Sequence, residues 1–319
     1  MPSIMKTAIV AGLAAVAAAL PAFPKLTERQ MKIHGLMKRQ SAAEQALGLT
    51  DIDVLQFALT LEWLEATFYQ QGFAKFPQSD FLALGLSQTQ VTDLIGIGSS
   101  EQTHVSLLQG AIAQAGVQPV QPCTYNFDAA FASAQAMVTT AAVLEQVGVS
   151  AYLGAGPILA DPSILGTAAS ILTVEARHQS FVRIGTGAAA APNAFDTPLS
   201  PKQVFSLAAP FIQSCPAGSN LILTAFPTLT MSSPAAGTQV KIGDILALAS
   251  DAASSATACA FSVGGLPGGT VFSAFTGGSC VVPQNLVGVV YVNLASASPL
   301  TGVLTDDIIV AGPMVLQLS

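Results

Sequence analysis

Charge is scarce in this chain. Only 9% of its 319 residues are Asp, Glu, Lys or Arg, while 51% are hydrophobic. That excludes a disordered polar chain, and the length is ample for a packed core that needs neither metal nor disulfide merely to form. Basic residues are the scarcer sign, 11 against 18 acidic, for a net charge of -7. Nucleic acid is therefore not an expected partner. The four cysteines, Cys123, Cys215, Cys259 and Cys280, include no C-x-x-C pair, which excludes the common zinc-site spacing. There is no glycine-rich nucleotide loop, no Asn-x-Ser/Thr acceptor and no repeat of solenoid length.

What is present begins with a leader-like segment. Met1 to about Ala22 carries one lysine, Lys6, then an apolar run from Ala8 to Leu20 and small residues, which reads as a secretory signal peptide. The run is too short for a bilayer core, and no later segment free of glycine or polar breaks replaces it, so no membrane span is expected after signal removal. Residues 23–39 are rich in Lys and Arg and end at Lys38-Arg39, which predicts a propeptide and a mature chain from about Gln40. Removing residues 1–39 takes away six basic residues and one acidic one and leaves a net charge near -12. The expectation is a secreted protein, extracellular or in the cell wall. In such an oxidising setting an even cysteine count predicts two disulfides. Of the three possible pairings, Cys123-Cys215 with Cys259-Cys280 is preferred, because it ties the ends of the middle region and closes one local loop in the tail.

Hydrophobic periodicity divides the remainder into a helical part, 40–216, and a strand-rich part, 217–319. Helices are predicted from Thr50 or Asp51 to about Ala74, from Ser87 to Ala115 with Gly116 as the stop, from a cap at Asp128 to about Leu153, and from Asp161-Pro162 to about Ile184. A shorter fifth helix is predicted from Ser200-Pro201 to about Gln213. Beyond it, runs at Leu221 to Thr230, Gln239 to Ala249, Ala258 to Val263, Val287 to Leu294 and Asp307 to Leu318 predict the strands of a small sandwich. The expected fold class is mainly α followed by all-β.

Three histidines occur, and His34 lies in the segment expected to be removed. The other two share one context, Glu101-x-x-His104 and Glu175-x-x-His178, each inside a predicted helix where residues three apart face the same way. With both histidines so engaged, no Ser/His/Asp arrangement is expected. Each of the remaining long helices offers a glutamate with a tyrosine seven residues on, Glu62 with Tyr69 and Glu145 with Tyr152. One Glu from each of two helices plus Glu-x-x-His from each of two others is the donor set of di-iron and di-manganese carboxylate bundles. Six ionisable groups on inward stripes would be costly to bury unpaired, whereas four carboxylates balance two divalent cations. Glu65 competes with Glu62 for the first-helix position; the seven-residue step to Tyr69 favours Glu62. Trp63 points away from Glu62 and reads as packing, and Arg177 and Arg183 read as structural or surface cations.

The stretches LEWLEATFY at Leu61, EQTH at Glu101, LEQVGVSAY at Leu144, EARH at Glu175 and SPKQVFSLAAPFIQSCP at Ser200 resemble the ferritin-like superfamily, and within it the ferritin-like domain family of secreted fungal, stress-response-type proteins. The resemblance runs from about Asp51 to Pro216. It implies a ferritin-like four-helix bundle holding two Fe or two Mn ions through Glu62, Glu101, His104, Glu145, Glu175 and His178, with Glu65, Tyr69 and Tyr152 as supporting groups. It also implies oxidoreductase chemistry with dioxygen or hydrogen peroxide, of oxidase, ferroxidase or catalase type. Because the tail carries no catalytic cluster, a non-enzymatic stress or cell-surface role, with the β-region contacting a wall polymer or surface partner, is the second expectation.

Overall fold

The computed structural model describes residues 48–217, 223–235 and 238–318. The expected signal peptide, propeptide and start near Gln40 lie outside the described residues, as do Leu221 and Ile222 of the first expected strand.

Local caps explain where the long helices start. Helix α1, Asp51–Lys75, begins with a capping box in which the Thr50 hydroxyl accepts from the Asp53 amide and the Asp53 carboxylate accepts from the Thr50 amide. Asp51 instead accepts from the amides of Ala160 and Asp161, tying the start of α1 to the loop that precedes Pro162. A short helix α2, Gln78–Ala83, was not anticipated; it buries Phe81 against Phe73 and Phe76. Helix α3, Gln88–Gln114, has the same box between Ser87 and Gln90, and Gly116 follows it in the left-handed region at φ 77°.

Helix α4, Ala134–Ala155, starts later than the expected Asp128, and Ser133 is its cap. The Asp128 amide is already engaged by the Asn126 side chain, and Phe127 and Phe131 anchor that turn against Phe68. Aromatic burial outweighs the capping preference there. Helix α5, Pro162–Gly185, opens at the Asp161 cap. Helix α6, Pro201–Ala208, is shorter than expected: Pro210 lacks the amide needed to continue, and Ile212–Ser214 turns into strand β2, paired with β1, Thr124–Tyr125. The Cys123–Cys215 disulfide joins the flanks of that pair.

The long helices α1, α3, α4 and α5 form the bundle. By length and composition alone Ala134–Ile158 could cross a membrane, but it carries Glu145 at its middle and most of it is buried inside the fold.

The C-terminal region consists of two antiparallel sheets. One has the order β3–β4–β7, from Thr230–Ser233, Ile245–Ala249 and Ser279–Val281. The other has the order β6–β5–β8–β9, from Thr270–Ala274, Ala258–Ser262, Val289–Ala295 and Ile309–Gln317. Strand β6 falls between the glycine pairs Gly268-Gly269 and Gly277-Gly278, β7 follows the second pair directly, and neither offers a long alternating run, which is why the sequence did not mark them. Leu246, Leu248 and Cys280 from one sheet meet Phe261, Val290 and Val292 from the other in one core, and the Cys259–Cys280 disulfide links the two sheets.

The sheets dock on the bundle through a buried joint. Tyr291 of β8 shares a hydrogen bond of 2.7 Å with the Ser150 hydroxyl and donates to the Gln146 carbonyl at 3.2 Å, among Phe57, Val147, Leu199 and Val204. The chain at Leu199 crosses α4 directly over Gly154, where any Cβ would collide with the Leu199 carbonyl. Arg183 of α5, almost wholly buried, donates to the Ala189 carbonyl and to Gln317 of β9.

Candidate metal centre

Each of the four long helices brings part of the expected donor set to one buried point. Glu62 comes from α1, Glu101 and His104 from α3, Glu145 from α4, and Glu175 and His178 from α5; the four carboxylates are at most 1% exposed. His104 Nδ1 lies 2.9 Å from Glu101 Oε2, 3.2 Å from Glu62 Oε2 and 3.3 Å from Glu175 Oε1. His178 Nδ1 lies 2.8 Å from Glu101 Oε1 and 3.2 Å from Glu145 Oε2. The imidazole centroids are 6.3 Å apart.

Two groups of donors result. Glu62, Glu101, His104 and Glu175 offer donor atoms all within 4.8 Å of one another, and so do Glu101, Glu145, Glu175 and His178. Glu101 and Glu175 belong to both. Each group could hold one cation, with the shared carboxylates between them. Glu62 belongs to the first group, whereas Glu65, although buried, belongs to neither.

The buried polar atoms test whether cations fit. Glu62 Oε2, Glu101 Oε1, Glu145 Oε2, both oxygens of Glu175 and His178 Nδ1 are buried without a hydrogen-bond partner. His178 Nδ1 and Glu101 Oε1 are close but not aligned as donor and acceptor. Buried carboxylate oxygens left so, converging on one point, are costly unless positive charge lies between them. Carboxylate and imidazole donors without thiolate suit iron or manganese.

The same electrostatics appears in the titration of the cation-free cluster. Burial lowers the basicity of His104 and His178, but the surrounding carboxylates outweigh it and push them up to about 12 and about 10. Burial pushes Glu101 up, yet the hydrogen-bonding and charge of both imidazoles hold it at about 2. Burial raises Glu62 to about 7 against the opposing pull of His104, and burial together with neighbouring carboxylates drives Glu65 and Glu175 well above the usual range. Protons occupy the role that cations would take.

The supporting tyrosines cross the bundle. Tyr69 of α1 donates to Glu145 of α4 at 2.5 Å, and Tyr152 of α4 donates to Glu62 of α1 at 2.5 Å. Each tyrosine therefore serves the glutamate of the opposite helix, not the one seven residues before it. Trp63 packs away from the centre and donates to the Val120 carbonyl, and Arg177 is exposed.

Two neighbouring features escaped the sequence reading. Gln179 donates to Gln146 at 3.0 Å in a buried contact, each glutamine directly following a residue of the centre in sequence. Gly148, three residues after Glu145, makes the room for Glu175: a Cβ there would meet Glu175 Oε2 at 2.5 Å. A glycine in mid-helix disfavours the helix by about 0.5–1 kcal/mol, and that local penalty was the available signal.

Residues 50–188 match the ferritin-like domain family. The chain is also similar to Protein rds1 of Schizosaccharomyces pombe, 26% identical over 194 residues that make up 60% of this chain and 47% of the relative. The match thus spans about half the length of that protein. Residues 50–188, the stretch that matches the ferritin-like domain family, hold all six converging side chains.

Proposed function

We propose that this protein binds a pair of iron or manganese ions and acts as an oxidoreductase on dioxygen or hydrogen peroxide. The observation that carries the reading is the pair of buried four-donor groups that share Glu101 and Glu175. Bound iron or manganese supplies electron exchange with small oxygen species. The chain's own part is to fix the donors, exclude bulk water through full burial of the carboxylates, and orient Glu62 and Glu145 through the cross-bundle tyrosines. Two disulfides fit an oxidising compartment, and secretion to the cell exterior or wall is part of the proposal.

The test is elemental analysis of protein purified without added metal, followed by oxygen-electrode assays. About two metal ions per chain with metal-dependent dioxygen uptake or peroxide disproportionation supports the reading. A protein that binds neither ion after reconstitution, or whose activity survives Glu101→Gln, overturns it.

A second reading is favoured by the tail: among the described residues, both candidate metal groups lie in the bundle and none in the two sheets. In that reading the bundle is a scaffold and the sheets contact a wall polymer or surface partner. Retention of the full chain on isolated cell walls, unchanged by Glu101→Gln, supports it; failure of the full chain to be retained counts against it.

A further inference from the structure

Beside the centre lies a buried acid, Glu65, that belongs to neither group of donors. Glu65 is only 5% exposed, and among the described residues no hydrogen bond or ion pair reaches it. Its side chain lines a small cavity between α1 and α4 beneath α6. The other walls are apolar, with Leu64 and Val147 deep inside and Leu61, Val143, Leu207 and Phe211 nearer the surface. Gly148 also lines it, and a Cβ built there would come within 3.4 Å of Glu65 Oε1 as well as 2.5 Å of Glu175 Oε2. Cavity and metal centre thus meet at the glycine.

The walls select the occupant. A hydrated ion would surrender its water shell to a single carboxyl, which is strongly unfavourable. A wholly apolar molecule would leave Glu65 without a partner in a desolvated pocket, also unfavourable. A molecule with an aliphatic body and one N–H or O–H end satisfies both surfaces, in the usual manner of small-molecule sites with few polar anchors. The apolar cavity at the other end of the bundle, beside Phe57 and Ile171, offers no such anchor, because the hydroxyl of Tyr152 on its wall is committed to Glu62.

We infer that the cavity beneath α6 is a binding site for a small aliphatic alcohol or amine, anchored by Glu65 next to the metal centre. Glu65 is a positioning residue in this site. Binding does not require metal, so it stands or falls independently of the proposed function.

The experiment is calorimetric titration of the full chain, metal-loaded and metal-free, with 1-hexanol, hexylamine and 1-methoxypentane, an ether of the same heavy-atom count that lacks a donor. The expected result is binding of the alcohol or the amine at least tenfold tighter than the ether. Glu65→Leu should erase that preference, and Leu207→Trp, at the mouth, should weaken all three ligands. Glu65→Gln keeps size and an acceptor oxygen; it should retain hexanol and lose hexylamine, which separates the neutral donor from the cation and guards against a folding artefact. Equal affinity for alcohol, amine and ether, a preference unchanged in Glu65→Leu, or no binding by any probe overturns the inference. Metal content, measured on the same samples, reports separately on the di-metal reading.

Discussion

The Tyr152 hydroxyl donates to Glu62 from the opposite side of the bundle, and Tyr69 does the same for Glu145. The two bonds run in opposite senses between α1 and α4, so each helix orients the other's carboxylate. Glu62 stands in the group with His104 and Glu145 in the group with His178. Tyr152→Phe should therefore weaken the first half of the centre and Tyr69→Phe the second. Loss of such an orienting partner costs about 10–100-fold in metal affinity. Stepwise metal titration monitored by calorimetry checks it: one of two binding events should weaken in each variant, and uniform weakening of both would argue against separate halves.

Gly148 tests the same centre from its wall. A methyl group there would stand 2.5 Å from Glu175 Oε2, inside contact distance, so the shared carboxylate must move. Alanine is the better helix former by up to about 1 kcal/mol, so on propensity alone Gly148→Ala would stabilise α4. Overpacking of a filled interior costs about 1–3 kcal/mol and should win. The expected outcome is a lower melting temperature together with metal content below that of the parent. A stabilised variant with full metal content would mean that Glu175 has another position available.

Much of this centre was legible because its logic is local. Glu101 with His104 and Glu175 with His178 are one helical turn apart, and a period of 3.6 residues places each pair on one face whatever else the chain does. Caps at Ser87, Asp161 and Ser200 are likewise written in neighbouring residues. What could not be read depends on partners distant in sequence. The crossing of Tyr69 to Glu145 spans 76 residues, and nothing in either local segment encodes it. Asp128 has every local property of a cap, yet the burial of Phe127 and Phe131 moves the start of α4 to Ala134. Strands β6 and β7 were missed because they are short and their pairing partners lie in other strands. The neighbourhood of Glu65 was equally invisible, since its cavity is roofed by α6, well over a hundred residues further along.

Protons and cations should compete for the centre, and the direction follows from the titration of its groups. In the metal-free protein His104 and His178 titrate at about 12 and about 10, above the ordinary 6.5. Their raised values contribute stability that is complete below about 6.5 and is lost as pH rises through the folded values. Glu62, raised to about 7, acts in the same sense from its ordinary 4.5 upward, whereas Glu101, held at about 2, contributes stability above 4.5 that is lost as pH falls through 2. Metal binding needs neutral imidazoles and ionised carboxylates, so it must expel these protons. Adding manganese or ferrous iron anaerobically at pH 7 in weak buffer should acidify the solution. The shift in melting temperature caused by metal should grow between about pH 5 and pH 8. A metal effect independent of pH would contradict the assignment of these imidazoles as donors.

The joint between bundle and sheets should make the described chain unfold as one unit. Tyr291 reaches into the bundle to Ser150 and Gln146, and the Leu199 segment lies against Gly154 with no space for a side chain. Both contacts sit on α4, the helix that also carries Glu145 and Gly148. Gly154→Ala forces the Leu199 backbone away from the helix, which separates Tyr291 from Ser150 and leaves both buried hydroxyls without their partner. Each unsatisfied group costs about 1–3 kcal/mol, enough to open a joint of this size while each core remains packed. Calorimetry should accordingly show a single transition for the parent and two for Gly154→Ala, with the sheet transition retained because the Cys259–Cys280 disulfide and the core around Phe261 are untouched. Two transitions in the parent would show that the sheets never depended on the bundle. Tyr291→Phe is the milder companion: it removes the hydroxyl without moving the backbone, so it should lower the melting temperature while preserving a single transition.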